Sequence, residues 1–187
     1  MTLLTRALST IRSPAAVERM PMSMTSFGMP SGLAQRWSTA QFLQAYGGSG
    51  WLYAVVSVIA QNVGATEWKL YAGARTDNER TEIAAHPSID LLNFVNPWMT
   101  REEFFELSSL YLDLAGESIW LTVRDQRGEP AELWPLNPTH IAPIPDRQDF
   151  IAGWVYQIAG QRIPIADEDI IQIKYPNPMD PYRGLSP

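Results

Sequence analysis

Gly116-Glu117-Ser118-Ile119-Trp120-Leu121-Thr122-Val123-Arg124 marks a change of period in the chain. Before it, Phe104, Leu107, Tyr111 and Leu114 recur at intervals of three and four, the spacing of one face of a helix. After it, Ile119, Leu121 and Val123 alternate with Ser118, Trp120 and Thr122, which is the period of a strand with one more apolar face. Gly116 stands between the two as a helix stop. Asp125-Gln126-Arg127-Gly128 then reads as a turn, and residues 131–136 as the returning strand. A helix running straight into an antiparallel hairpin predicts an α+β fold.

The same reading extends in both directions. Thr100-Arg101-Glu102-Glu103 is a capping box, in which a hydroxyl and a carboxylate each satisfy an orphan amide, so the helix starts at 101. His86-Pro87 opens a short amphipathic turn through Ile89, Leu91, Leu92 and Phe94. Asn96-Pro97 closes it, because a residue before proline avoids helical angles. Residues 51–63 are mostly apolar, and Ser57, Gln61 and Gly64 make a narrow polar stripe. This predicts a helix that is otherwise buried, capped by Ser49 and stopped by Gly64. Trp68-Lys69-Leu70-Tyr71 reads as a short strand, and residues 75–81 as a polar turn. Downstream, prolines at 135, 138, 143 and 145 confine their segments to edges and bends. Residues 154–158 and 162–165 form a hairpin around Gly160, and residues 170–175 a further strand. Residues 175–187 carry prolines at 176, 178, 181 and 187 and read as a loop. The expected architecture is two main helices packed on short, mostly antiparallel strands and hairpins. No helix remains to cover the last strands, so the core is expected to be incomplete and to need a partner.

Residues 1–48 differ from the rest. They hold Arg6, Arg12, Arg19 and Arg36 against Glu18, a net of +3, which leaves −9 for the remainder of a chain with net charge −6. Residues 20–32 are Pro, Met, Ser and Gly without period. The expected organisation is a flexible N-terminal arm, 1–48, and a folded body, 49–187. At 187 residues, 45% hydrophobic with seven Trp, the chain can bury a real core. Its acidic balance disfavours whole-chain binding of nucleic acid, which is driven by neutralising phosphates. With no Cys, disulfides, thiolate metal sites and thiol catalysis are excluded. The longest nearly apolar run, residues 51–60, falls well short of the roughly 20 residues that span a membrane. Arg6 and Arg12 are not followed by the apolar stretch of a secretory signal. A soluble chain without membrane contact is expected.

Catalytic patterns each fail on a named residue. Gly47-Gly48-Ser49-Gly50-Trp51 has Trp where a nucleophile elbow needs Gly, and Gly184-Leu185-Ser186-Pro187 also breaks that pattern. No Gly-Lys pair exists for a phosphate-binding loop. His86 and His140, with Asp90 or Glu132, lack the spacing of a zinc site. Glu102, Glu106 and Asp113 share a helix face opposite Phe104 and Leu107, which reads as solvated rather than as an acid–base pair. No catalytic residue, cofactor or metal is expected. The Trp and Tyr residues sit at periodic core positions rather than on a stacking platform.

The order of segments resembles the N-terminal part of the HK97-type portal proteins of tailed bacteriophages. Residues 51–71 match the family's buried helix leading into an "lyr"-like strand. His86-Pro87, Leu91-Leu92 and Asn96-Pro97 match an "HP…LL…PN" segment, and residues 104–124 an aromatic helix followed by a "G-n-a-y" strand. Gly128 followed by Glu132-Leu133-Trp134-Pro135-Leu136-x-Pro138 is the most specific match. Tyr182-Arg183-Gly184-Leu185-Ser186-Pro187 is similar to "yrGlSPl". Gln172 stands where the family often has His. Family members continue past this last motif into long helices that build the stem and channel wall.

The resemblance implies a portal wing or body region, with Gly128, Leu133, Trp134, Pro135, Leu136, Pro138, Arg183, Gly184, Leu185, Ser186 and Pro187 as structural motif residues. It further implies a self-assembled ring, usually dodecameric, at one capsid vertex of the virion, assembled in the host cytoplasm. Its partners would be the terminase large subunit, head–tail connector or adaptor proteins and the major capsid protein. Double-stranded DNA would pass through without sequence-specific binding during packaging and ejection. Two other readings stay open here: a small Trp-rich binding module, and a small hydrolase using Ser49 or the helix carboxylates.

Overall fold

In the computed structural model, the structure describes residues 38–73 and 80–187. Helices α1 (Thr39–Gly48), α2 (Gly50–Gly64), α3 (Pro87–Asn93) and α4 (Arg101–Ala115) accompany eight strands among these residues. Strands β1 (Leu70–Ala72) and β2 (Thr81–Ile83) form a small antiparallel ribbon. The other six are β3 (Glu117–Arg124), β4 (Pro130–Leu136), β5 (Ile141–Pro145), β6 (Ile151–Ile158), β7 (Gln161–Ile165) and β8 (Ile170–Lys174). They make two three-stranded antiparallel sheets, ordered β4-β3-β8 and β5-β6-β7.

Strand β3 is the centre of the molecule. Its odd positions Ile119 and Leu121 pack with Trp134 and Leu136 of β4 against Ile141, Trp154, Tyr156 and Ile165 of the second sheet. Its even position Trp120 packs with Phe104, Phe105, Val95 and Leu133 on the helical side. The sequence pattern suggested one apolar face, but both faces are covered. Ser118 and Trp120 face helix α4, and the indole Nε1 donates to Ser108 Oγ at 2.9 Å and to Ser118 Oγ at 3.1 Å. The polar atoms on that face are therefore satisfied internally, as burial requires. The layers run helices, first sheet, second sheet. The apolar faces of the last strands are thus covered by the other sheet, except on the outer edge of β8, where Ile171 and Ile173 are exposed.

Local signals act where they were expected. Thr100 and Glu103 form the capping box of α4, with Thr100 N donating to Glu103 Oε2 at 2.9 Å and Glu103 N to Thr100 Oγ1 at 3.2 Å. Gly116 ends the helix in the left-handed conformation, φ 78°. Ser49 caps α2, accepting from Leu52 N. Ala159 and Gly160, both with positive φ, turn β6 into β7. β5 carries Pro143 and Pro145 as an edge strand.

Two expectations are corrected. Residues 39–48, placed with the flexible arm, form α1: Ser38 and Gln41 make a capping box, and the helix packs on α2 and α4. Residues 1–37 of the arm lie outside the described residues, as do 75–79 of the expected polar turn; Thr81, read as part of that turn, begins β2. The second correction concerns α2, expected to be buried around a narrow polar stripe. It turns Val56, Ser57, Ala60 and Gly64 inward. Trp51 is 86% exposed, and Val55 and Val58 face outward with it. Small side chains decide this orientation. They let the helix sit close on α4, and a Cβ on Gly64 would meet the carbonyl oxygen of Glu102 at 2.8 Å.

This contact gives a signed test. Alanine at an open helical glycine stabilises by about 0.5–1 kcal/mol. Gly47 in α1 has nothing within 4 Å of an added Cβ. Gly47→Ala should therefore raise the denaturation midpoint. Gly64→Ala should lower stability by roughly 1 kcal/mol or more, because overpacking outweighs the propensity gain. Equal gains from both substitutions in urea titrations would refute the close α2–α4 packing.

Candidate functional site

The motif residues converge on one buried carboxylate. Glu117, the first residue of β3, is 1% exposed. Its Oε1 pairs with the Arg183 guanidinium at 2.6 Å. Its Oε2 accepts from Gln172 Nε2 at 2.8 Å and, more distantly, from Gly184 N at 3.3 Å. Arg183 also donates to the carbonyls of Pro138 at 2.7 Å and Ile141 at 2.6 Å. One guanidinium thus ties the C-terminal segment to the first sheet and to the turn that enters the second. The second amide hydrogen of Gln172 goes to Tyr182 O at 2.9 Å. A neutral imidazole has one N–H and cannot serve both acceptors at once. The amide at position 172 does so without charge.

Backbone shape completes this clasp. The C-terminal segment crosses the helix–strand junction so closely that a Cβ on Gly116 would lie 2.2 Å from Leu185 C. One on Gly184 would lie 2.0 Å from Gly116 O. Tyr175 N donates to Gly116 O at 2.8 Å, and the Phe150 and Tyr182 rings sit 4.6 Å apart. Asn177 Oδ1 accepts from Met179 N, and Asp180 Oδ1 from Tyr182 N, so the segment is laced to itself before it reaches the clasp. Leu185 and Pro187 are exposed.

The remaining motif residues join layers. Leu133, Leu136 and Pro138 are buried, and Trp134 Nε1 donates to Glu132 Oε2 at 2.8 Å. Pro135 lies on edge strand β4 opposite Trp120, where its missing N–H breaks no ladder. Asn96, 1% exposed, donates to Leu133 O at 2.9 Å and accepts from Trp98 N and Met99 N. This docks the segment before α4 onto β4. Gly128 holds φ 85° in a turn organised by Asp125, whose Oδ1 accepts from Arg127 N and Glu129 N.

The residues weighed for chemistry are spread apart in role. Ser49 is a helix cap. His86 caps α3, its Nδ1 accepting from Ser88 N at 3.1 Å. His140 is exposed near the Tyr156 ring. Glu102 pairs with Arg101, whose side chain also reaches Thr66 O, so that guanidinium holds the end of α2. Glu102, Glu106 and Asp113 of α4 do not form one solvated face. Asp113 points into an apolar groove, where burial raises its carboxyl above the usual range while Ser109 and Tyr175 hydroxyls partly offset that. Among the described residues, no group of three His, Cys, Asp or Glu stands where it could hold a metal, and no helix is long and apolar enough to cross a membrane.

The sequence reading missed Glu117 and Gln172 as partners of Arg183. The available signal was a carboxylate heading an apolar strand in a chain only 18% charged. Breaking a buried ion pair on one side costs several kcal/mol, since the other charge is stranded. With the guanidinium about a quarter exposed, Arg183→Met should cost about 3 kcal/mol, at the low end of that range. Glu117→Gln with Arg183→Met should cost less than the two single changes added together. Additive effects in chemical denaturation would show that the two side chains do not act as a pair.

The comparisons follow this geometry. Among solved structures, the chain is similar to a protein in the neck of an empty gene transfer agent particle with C6 symmetry: TM-score 0.68, 24% identity, covering 79% of this chain and 39% of that one. It is similar to one in the virion of a native gene transfer agent particle, with TM-score 0.67, 22% identity and coverage of 85% and 41%. A third lies in the neck of the native particle with C12 symmetry, with TM-score 0.65, 22% identity and coverage of 80% and 39%. The chain thus spans about two fifths of the length of these neighbours. At this identity they share its α+β fold. No curated protein sequence matches. The family model described as phage portal protein matches residues 51–187, a stretch that contains the helix–strand junction, the β3–β4 hairpin and the whole clasp, and the chain belongs to that family.

Proposed function

We propose that this chain is a structural portal subunit, a wedge repeated around an axis to form a ring at one vertex of a virion. The family match over residues 51–187 carries the reading. The neighbours of like fold come from particle necks with C6 and C12 symmetry, which favours twelve copies. The work is done by shape rather than by bond chemistry. DNA would pass through the ring during packaging and ejection, moved by a separate terminase. Connector proteins and the major capsid protein would dock outside it. The body's net charge of −9 suits a conduit, because a wall that repels phosphates lets DNA slide. Residues 49–187 would form the wedge.

The exposed stripe of α2 supplies a physical reason to assemble. Trp51, Val55 and Val58 lie along one face and are more than half exposed. Contiguous apolar surface of this kind marks an interaction site on a folded chain. A subunit in a ring buries it against its neighbour.

The wild-type chain should therefore self-associate in sedimentation velocity and give rings with a central hole in electron micrographs. Val55→Glu with Val58→Glu should leave a monomer of nearly unchanged melting temperature, since surface changes move stability by only about 0.5 kcal/mol. A wild-type monomer at all concentrations, or assembly by the double variant, would count against the reading.

A further inference from the structure

A ring repeated by rotation cannot close through one patch that meets itself. Each copy needs two different patches, one for the neighbour on either side. The outward stripe of α2 is one such patch, on a helix that carries no charged residue from Gly50 to Gly64. What meets it should be a second apolar surface elsewhere on the subunit.

Phe94 and Trp98, on the link between α3 and α4, are 70% and 61% exposed, more than any other large hydrophobic residue outside α2 among the described residues. The backbone that carries them is held still. Val95 and Asn96 are buried between them. Val95 O accepts from Leu133 N at 2.7 Å, and Asn96 Nδ2 donates to Leu133 O at 2.9 Å. Asn96 Oδ1 accepts from Trp98 N at 2.9 Å and fixes the turn that carries the indole. The link therefore buries its middle and presents an aromatic ring on either side. Aromatic side chains on a fixed backbone lose little freedom on contact and make strong interface anchors.

Their position suits a head-to-tail contact. The link is bonded to the outer edge of β4, whereas α2 reaches the first sheet beside β8 at its other edge, where Ile59 and Val63 share a groove with Ile173. Gly64, at the end of α2, lies against Glu102 at the start of α4, a short way past Trp98 in the chain. Trp51 stands about 20 Å back along α2, at about 1.5 Å per residue. The stripe and the two aromatic residues are thus separate patches, set at different edges of one sheet.

We propose that Phe94 and Trp98 of one copy pack on the α2 stripe of the next copy, against Trp51, Val55 and Val58. The inference rests on the ring reading and adds to it the surface that the stripe meets.

The chain has no Cys, so a thiol cross-linker reads only the positions that are given one. In the full chain, Ala54→Cys places a thiol on the stripe and Pro97→Cys places one between the two aromatic residues, both at exposed positions. With a short bis-maleimide, a mixture of the two variants should give a covalent dimer, and each variant alone should give none. A chain carrying both changes should give a ladder of covalent oligomers. Phe94→Ser with Trp98→Ser should keep the melting temperature, as exposed positions allow. It should raise the concentration for half-maximal association at least about tenfold, the scale of lost anchor residues. Rings that form without the 54–97 link, dimers of Ala54→Cys alone, or association indifferent to the two serines would overturn this inference and leave the ring reading standing. A chain that never associates would overturn both.

Discussion

A carboxylate with 1% exposure at the head of a strand is costly by default, because an ion taken out of water loses several kcal/mol of hydration. Glu117 is tolerable only because Arg183, Gln172 and Gly184 come to it. Those partners lie 55 to 67 residues away in the chain, so satisfying one group fixes where β8 and the C-terminal segment must lie. Arg183 then reaches Pro138 and Ile141 and sets the second sheet against the first. The core between the sheets is apolar and non-directional, and could accept small slips. The clasp is directional and cannot. The pairing of Ile119 with Gln172 across β3 and β8 places Gln172 on the same side as Glu117, so a one-residue slip would carry the amide to the opposite face.

Much of the fold was legible in the sequence because its elements announce themselves locally. The capping box at Thr100, the cap at Ser49, the stop at Gly116 and the turn at Gly160 each depend on a few adjacent residues and the geometry of unpaired amides. The period switch after Gly116 depends on nothing else. The orientation of α2 was not legible. A helix apolar on nearly every side has no inward face that hydropathy can identify. Side-chain size decides instead, since Ala60 and Gly64 allow α4 to approach more closely than Val55 or Trp51 would. The start of α1 had a signature, Ser38-Thr39-Ala40-Gln41 with its reciprocal bonds, but it followed a Pro, Met and Gly stretch whose composition masked it.

The candidate site was legible in a different sense. The motif residues were visible as a group, while their reason was not. Arg183-Gly184, Pro138 and Gly116 lie in three separate segments, and only the folded chain shows that all of them meet around Glu117. No local pattern encodes a contact across 67 residues. Gln172 shows the same limit. Its identity could be read, but its role needed two acceptors in place, one on β3 and one on the C-terminal segment.

This explains why motif order led to a family here when catalytic patterns did not. A catalytic motif is recognisable because reacting atoms need fixed spacing. The motifs of this chain are fixed by packing: Gly116 and Gly184 because two backbones touch, Pro138 because its carbonyl faces a guanidinium, Asn96 because three backbone groups surround it. Such residues report how layers are joined, and so they identify a fold family without identifying a reaction. The outward apolar stripe of α2 supplies what the motifs lack. A helix that packs Ala60 and Gly64 inward and leaves Trp51 outside has turned its small residues to the core and its large ones to a surface. That distribution is a poor solution for an isolated domain and a good one for a subunit whose neighbour provides the cover.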